Sequence, residues 1–241
     1  MQIIPIEIQK EIEPGDDVSD LILGSAEIQD GDILVVAQKI ISKQENRLVD
    51  ISTISPSLLS EGIAGQYNKD PRLVELVLSE TKRIIRMGAG VLIVETNHGF
   101  ICANAGVDES NVRDGYATLL PLNSDISANT LRQKIQTSSG IDVPVIISDT
   151  FGRPFRMGQT NCALGISGLN PILDYAGSLD SFKKILRVTA IAIADELSSA
   201  AELVMEKTAN CPVVIIRDYE YEKEERPIED LIRPENEDLF R

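Results

Sequence analysis

The sequence has no tryptophan and one histidine among 241 residues, and aromatic residues make up only 4% of the chain. One histidine excludes a metal site built from two histidines of the same chain, and a histidine-based triad could use only His98. Because Asn97-His98-Gly99 lies between two strand-like segments, we interpret His98 as part of a turn rather than as a catalytic base. The sequence therefore points away from histidine-dependent chemistry.

Cysteines and long apolar segments are also scarce. Cys102, Cys162 and Cys211 are far apart and form no Cys-x-x-Cys pair, which is typical of buried thiols in a reducing compartment. No apolar run approaches the roughly 20 residues that span a bilayer. The N-terminal residues 1–17 lack the basic region of a signal peptide and soon become acidic. We therefore expect a cytoplasmic protein with no membrane partner.

Basic residues are few, with 23 Lys and Arg against 38 Asp and Glu and a net charge of −15. This balance argues against a nucleic-acid partner, because phosphate-backbone binding needs clustered cations. The sequence has neither a Walker A motif nor a Gly-x-Gly-x-x-Gly after a strand. Any nucleotide must therefore be held by local basic residues and metal.

The hydrophobic pattern predicts a mixed α/β fold, and the length allows one large domain or two small ones. Predicted strands are 2–8 (an edge or bulged strand because of Pro5), 33–37, 91–96 with 100–104 as a hairpin, 145–148, 162–166 and 212–216. Predicted helices are a short one from Asp17 through Leu23, then 56–67, 71 to about 82, about 127–138 stopped by Gly140, and 186–205, where a strand running into a helix stays open. The acidic tail, residues 218–241, is predicted as a solvated helix or as an arm across a neighbouring subunit.

The segment 145–168 is the centre of the predicted site. Its strand is expected to break at Asp149-Thr150, which places a carboxylate and a hydroxyl where open α/β sheets bind ligands. Such oxygens suit Mg²⁺ or Mn²⁺ better than zinc, and Arg153 and Arg156 add donors that fit phosphate or carboxylate. The alternative is that Asp149 only starts an Asx turn and that both arginines are solvated.

Two further segments carry polar side chains after predicted strands. The loop 104–111 holds two carboxylates, two amides and a hydroxyl around Gly106, and alone it is typical of a solvated turn. The segment beginning at Val145 supplies a partner for this oxygen cluster. Lys39 and Lys43 follow the strand 33–37 and are either solvated, the commoner case, or directed at phosphate.

Five ordered blocks resemble the coenzyme F420:L-glutamate ligase family, the F420-0:γ-glutamyl ligases. They are Pro5-Ile6-Glu7 with Pro14-Gly15-Asp16-Asp17, then 35–43 (VVAQKIISK), 98–111 (HGFICANAGVDESN), 148–154 (SDTFGRP) and 194–197 (ADEL). The resemblance covers nearly the whole chain. It implies an α/β fold of the family's own type, an intertwined homodimer, and a single ligase domain over residues 1–241 without the C-terminal flavin-binding, nitroreductase-like domain of larger relatives.

The resemblance implies a GTP-dependent, GDP-forming amide ligase that adds L-glutamate to coenzyme F420-0 through an acyl phosphate, with further γ-linked glutamates left open. It implies two Mg²⁺ or Mn²⁺ ions, with K⁺ as a candidate additional ion. By position, Asp108 and Asp149 are expected to hold one divalent ion and Thr150 the second, and these three form the expected catalytic centre. Nucleotide contacts are expected, also by position, from Glu7, Ile8, Gln9, Lys10, Gln38, Lys39, Lys43, Asn111, Glu206, Lys207, Thr208, Ala209 and Asn210.

The chain departs from the family pattern at Lys207, which stands where a Gln or Glu is expected to serve the second metal ion. A charged lysine cannot bind a cation. Either Glu206 supplies the missing oxygen after a shift of one residue, or Lys207 contacts a nucleotide phosphate instead.

Two other functions stay open. One is a ligase or phosphotransferase on the same scaffold that uses a different carboxylate. The other is a non-catalytic nucleotide-binding protein, which would bind GTP without releasing GDP in the presence of acceptor and glutamate.

Overall fold

The computed structural model describes residues 1–239, and within them the chain forms twelve strands and six α-helices. The strands are β1 (Gln2–Ile6), β2 (Ile33–Ala37), β3 (Leu48–Asp50), β4 (Thr81–Gly88), β5 (Val91–Thr96), β6 (Ile101–Ala103), β7 (Tyr116–Thr118), β8 (Val145–Gly152), β9 (Gln159–Ser167), β10 (Ile172–Asp174), β11 (Ala190–Ala192) and β12 (Val213–Arg217). The helices are α1 (Val18–Ser25), α2 (Gln38–Gln44), α3 (Leu58–Tyr67), α4 (Pro71–Ser79), α5 (Ser124–Ser139) and α6 (Ile193–Met205). The fold is mixed α/β, as the sequence predicts.

The main sheet has five strands in the order β1-β12-β2-β8-β9. β2 and β8 are parallel, and the other neighbours are antiparallel. β1 is an edge strand, as Pro5 predicts, because proline cannot donate a ladder hydrogen bond. β12 lies between β1 and β2, so the last strand of the chain joins the first two.

Both faces of the main sheet are covered, which explains the continuous apolar sequences of its central strands. On one face, Val145 and Ile147 belong to the same buried cluster as Ile22 of α1 and Leu131 of α5. On the other face, Ile146 packs with α6 in a second cluster. Alternate residues of β8 therefore pack against helices on opposite faces of the sheet.

A smaller unit of structure packs beside the main sheet. α3 and α4 cover the antiparallel sheet β4-β5-β6, and β3 pairs with β7. An isolated bridge between Asp108 and Thr118 ties the loop that follows β6 to β7. This unit places the loop 107–111 next to the carboxyl edge of the main sheet.

Several predicted helix ends are confirmed where a local capping signal exists. The side chain of Asp17 accepts from the backbone of Ser19 at the start of α1, and Asp70 with Pro71 begins α4. Gly140 ends α5 with a φ of 77°, as predicted, but Asn123 caps the helix and starts it at Ser124 instead of near residue 127. None of the helices in residues 1–239 is long and apolar enough to cross a membrane.

Several predicted boundaries were wrong. β8 does not break at Asp149 but continues to Gly152, because β9 pairs with it along its whole length, with one register shift between Ile147 and Ser148. α4 ends at Ser79 instead of near residue 82, since Thr81 starts β4. The segment 186–205 is a strand followed by a helix, the alternative that its alternating start had left open.

The acidic tail is not a helix in residues 218–239; residues 240 and 241 of that prediction lie outside the described part. It forms two short 3₁₀ turns, Ile228–Leu231 and Glu235–Glu237. Ile228 is buried, and its backbone N–H donates to Asp125 at 3.0 Å. The tail thus packs on its own chain.

Gly165 of β9 allows close packing of β9 against α5. A methyl group at Gly165 would lie 2.3 Å from the backbone carbon of Ser124, the first residue of α5. We expect Gly165→Ala to lower the free energy of unfolding by about 1–3 kcal/mol, because the backbones must separate. Chemical denaturation measures this change.

Gly62 is the matched control, since it lies in the exposed interior of α3 and a methyl group there meets nothing within 4 Å. Gly62→Ala should raise the free energy of unfolding by roughly 0.5–1 kcal/mol through helix propensity. A Gly165→Ala protein as stable as wild type would contradict the described packing.

Candidate active site

A cavity of about 1160 Å³ opens at the edge of the main sheet where β2 and β8 end. Because these strands are parallel and pair Ala37 with Ser148, the residues that follow them meet at one place. The remaining walls come from the segment 8–14 after β1, from β3, from β6 and the loop after it, from β9, and from the turn that follows α6. The cavity is therefore built by segments distant in sequence.

Most of the predicted site residues line this cavity. They are Ile8, Lys10, Gln38, Lys39, Lys43, Asp108, Asn111, Asp149, Thr150, Glu206, Lys207 and Asn210. Four others, Glu7, Gln9, Thr208 and Ala209, are not among its lining residues. Glu7 accepts a hydrogen bond from the side chain of Gln9 instead.

Asp108 is held in place by three donors. Lys39 Nζ lies 2.7 Å from its Oδ2, and the backbone N–H and hydroxyl of Ser110 both donate at 2.8 Å. Partial desolvation by the surrounding protein raises the pKa of Asp108, but the bonds from Lys39 and Ser110 outweigh it and leave the pKa below its usual value. Asp108 is therefore an oriented carboxylate anion at neutral pH.

Asp149 lies deeper, on β8, in a less polar setting. Desolvation raises the pKa of its carboxyl group to about 6, although the N–H of Thr150 and the charges of Lys207 and Lys39 act in the opposite direction. The charge of Asp108 raises it further. Two carboxylates thus act on each other across the cavity, and a cation between them would relieve the repulsion.

The chemistry of these two side chains fits one Mg²⁺ or Mn²⁺ ion. Both provide hard oxygen atoms, which these ions prefer. Within residues 1–239 no cluster of three or more His, Cys, Asp or Glu side chains has the geometry of a metal site. Mg²⁺ is commonly bound by one or two carboxylates together with water and substrate phosphates, so two carboxylates satisfy the protein's share.

Thr150 fits a second ion poorly. Its hydroxyl donates to Asn161 Oδ1 at 2.7 Å and accepts from Lys207 Nζ. An ammonium group therefore already lies on the oxygen that was expected to bind a metal. Glu206, the expected replacement ligand, is exposed on the cavity wall.

α2 presents its polar residues in different directions. Lys39 reaches the 108–110 loop and also donates to the backbone oxygen of Ser110 at 2.6 Å. Lys43 is buried and donates to the backbone oxygen of Asn111 at 2.8 Å and to Glu11. Gln38 donates to the backbone oxygen of Leu119 at 3.1 Å, so this side chain ties α2 to the segment that follows β7.

Three polar side chains singled out in the sequence lie away from the cavity lining. Arg153 donates to the backbone oxygen of Met157 at 2.9 Å within the β8–β9 turn, and Arg156 is exposed on that turn. His98 lies in the turn between β5 and β6, which confirms its interpretation as a turn residue, and its Nε2 lies 2.8 Å from the backbone oxygen of Pro121. Neither arginine contributes its charge to the cavity wall.

The predicted buried thiols are only partly confirmed. Cys102 is buried at the cavity wall, where desolvation, followed by the charge of Asp149, raises its pKa to about 12. Cys162 and Cys211 are half-buried rather than buried. Cys102 therefore remains a neutral thiol at neutral pH.

Several cavity residues were not predicted. Asn161 of β9 stands opposite Thr150, a position that only the β8–β9 register reveals. At another part of the wall, the guanidinium of Arg113 lies 3.7 Å above the ring of Tyr116, and the hydroxyl of Tyr116 donates to Asp50 at 3.2 Å. The sequence carries no local signal for this stacked pair.

A family model for F420-0:Gamma-glutamyl ligase matches residues 7–218. A coenzyme F420:L-glutamate ligase of Methanopyrus kandleri is 41% identical over 246 residues, covering 100% of this chain and 98% of the relative. The ligase of the same name from Methanothermobacter thermautotrophicus is 43% identical over 249 residues, covering 100% and 99%. That of Methanocaldococcus jannaschii is 46% identical over 215 residues, covering 89% and 86%.

The family model spans the loop 107–111, the carboxyl ends of β2 and β8, and the turn after α6, which together form the cavity. The resemblance stated from five sequence blocks is therefore confirmed over most of the chain. With full-length relatives above 40% identity, this chain belongs to the F420-0:gamma-glutamyl ligase family.

Proposed function

We propose that this chain is a GTP-dependent ligase that joins L-glutamate to coenzyme F420-0. In the proposed reaction the acceptor carboxylate attacks the γ-phosphorus of GTP, which gives an acyl phosphate and GDP. The α-amine of glutamate, having lost a proton, then attacks the acyl carbon, and phosphate leaves as the amide forms. The observation that carries the proposal is the meeting of Asp108, Asp149 and Lys39 in one large cavity of a chain whose relatives are named coenzyme F420:L-glutamate ligases.

Asp108 and Asp149 are the proposed ligands of one Mg²⁺ or Mn²⁺ ion. Such an ion would neutralise charge on the nucleotide phosphates and on the transferring phosphoryl group. The ion pair between Lys39 and Asp108, at 2.7 Å, orients the carboxylate. The two aspartates therefore bring a fixed charge arrangement to the nucleotide, which lowers the reorganisation needed during transfer.

Lys10 and Lys43, which both line the cavity, are proposed to bind phosphate oxygens of the nucleotide. In the structure Lys10 pairs with Asp16 at 2.6 Å, and Lys43 pairs with Glu11. Lys43 is buried along most of its stem, so its ammonium group has a defined position. A phosphate would offer both lysines a charge-assisted hydrogen bond in exchange for these carboxylates.

His98 is not at the cavity, so the glutamate amine must lose its proton to another group or to water. Positioning of the amine against the acyl phosphate and electrostatic stabilisation are then expected to supply most of the rate. The proposed reaction thus depends on the cavity's geometry more than on a dedicated base.

A homodimer is proposed as the functional assembly. The segment 172–192, which includes β10 and β11, exposes Phe182 to 82%, Ile185 to 64% and Val188 to 94%. Exposed apolar side chains of this kind favour association with another protein surface. A second copy of the chain is the partner that the family resemblance implies.

Sedimentation velocity at micromolar concentration is expected to give a dimer. Phe182→Asp should shift the protein toward monomer, because the charge would have to be buried in the interface. Leu58→Asp, at an exposed leucine (87%) of α3, is the control and should leave the dimer intact. A monomeric wild-type chain would refute the proposed assembly.

The reaction is tested by mass spectrometry of coenzyme F420-0 incubated with enzyme, GTP, Mn²⁺ and glutamate. The expected products are the acceptor enlarged by one glutamyl residue and an equal amount of GDP. ATP in place of GTP, and other carboxylate acceptors, test the strictness of the reaction. Binding of GTP without GDP release would instead support the non-catalytic alternative.

Asp149→Asn and Asp108→Asn each remove an anionic oxygen while keeping the side chain's shape. Each should lower kcat/KM by more than about 10–100-fold. That range is the usual cost of losing a residue that only hydrogen-bonds to a metal ligand, and losing the ligand itself should cost more. Far-ultraviolet circular dichroism should stay unchanged. Steady-state kinetics at saturating Mn²⁺ measures the loss.

Glu109→Gln is the matched control, since Glu109 is the exposed neighbour of Asp108 and does not line the cavity. It removes one negative charge from the same loop and should keep near-wild-type kinetics. Equal effects at positions 108 and 109 would mean that Asp108 acts only through the net charge of the loop.

A further inference from the structure

Lys207 occupies a defined place in the cavity. α6 ends at Met205, and Glu206 then adopts a φ of 48°, which turns the chain back toward β8. Through this turn Lys207 Nζ reaches the hydroxyl of Thr150 and lies 3.9 Å from a carboxylate oxygen of Glu202. The ammonium group is thus bonded to a residue of β8 and also attracted by Glu202 of α6.

Thr150 is itself fixed on the other side. Its proton is donated to Asn161 Oδ1, and Asn161 is buried in β9 directly opposite Thr150. The lone pairs of the hydroxyl therefore point toward the donor that remains, which is Lys207. Three side chains in a row, Asn161, Thr150 and Lys207, have complementary donors and acceptors.

We infer that the Lys207 ammonium group takes the place of a second divalent ion at Thr150. The cavity then takes one divalent ion per chain, bound by Asp108 and Asp149. The inference rests on the proposed nucleotide-dependent function, because the ion is expected to bind together with a nucleotide. An ammonium is a compact point charge with three donors, suited both to the Thr150 hydroxyl and to a phosphate oxygen.

A second divalent ion on Thr150 would compete with this arrangement. Cations at bonding distance from the same oxygen repel one another, and the low-dielectric cavity strengthens the repulsion. Lys207 would have to leave Thr150 and Glu202 before such an ion could bind. With Lys207 next to the Thr150 hydroxyl, no ion is needed there. The flexible side chain of the lysine can also move with a bound phosphate group.

The number of bound ions tests the inference without measuring activity. Equilibrium dialysis with Mn²⁺ and saturating GDP, corrected against a chamber that contains nucleotide alone, should give one Mn²⁺ per wild-type chain. Lys207→Gln removes the charge and offers an amide oxygen, and it should raise the value to two. Lys223→Gln, at an exposed lysine of the tail, is the control and should keep one.

The possible results separate cleanly. Two Mn²⁺ ions per wild-type chain would overturn the inference and leave the proposed function intact. One ion in both wild type and Lys207→Gln would also overturn it, because the lysine would not be what excludes the second ion. No protein-dependent Mn²⁺ uptake in any variant would overturn the proposed function together with the inference.

Discussion

The parallel pairing of β2 with β8 is the constraint on which the cavity depends. It brings two chain segments that are far apart in sequence to the same edge of the sheet, with Ala37 beside Ser148. After Ala37 the chain enters α2 at once, while β8 continues through Asp149 and Thr150. The lysines and the carboxylates are therefore placed by backbone register, and each would lose its position if the register slipped.

The cavity gathers four lysines of a strongly acidic chain at one place. Each cavity lysine has an acidic or hydroxyl partner: Lys10 with Asp16, Lys39 with Asp108, Lys43 with Glu11, and Lys207 with Thr150 and Glu202. These partners hold long side chains in order. For the proposed nucleotide, binding is then an exchange of one anionic partner for another, which favours a ligand that offers several phosphate oxygens at once.

Sequence signals predicted the features that are local. Asp70 marks the start of α4 and Gly140 the end of α5 by capping, and both ends were found where expected, whereas α5 begins at Ser124 instead of near residue 127. α2 was missed because Ala37 makes no side-chain cap and the helix follows a buried strand without a turn. The extension of β8 and the role of Asn161 were missed for a related reason: both depend on pairing with β9, which no local pattern reveals. Asp108 and Asp149 could each be singled out from the sequence, but only the tertiary structure shows that they line the same cavity.

The position of β12 between β1 and β2 has a consequence for synthesis of the chain. β1 and β2 leave the ribosome well before β12, yet they do not pair with each other, and only β12 joins them. Until β12 emerges, two apolar strands carry unpaired edges in the nascent protein, where they are open to wrong pairing. The main sheet is complete only after β12 has emerged, so a chain cut short before residue 213 would lack the strand that joins β1 to β2.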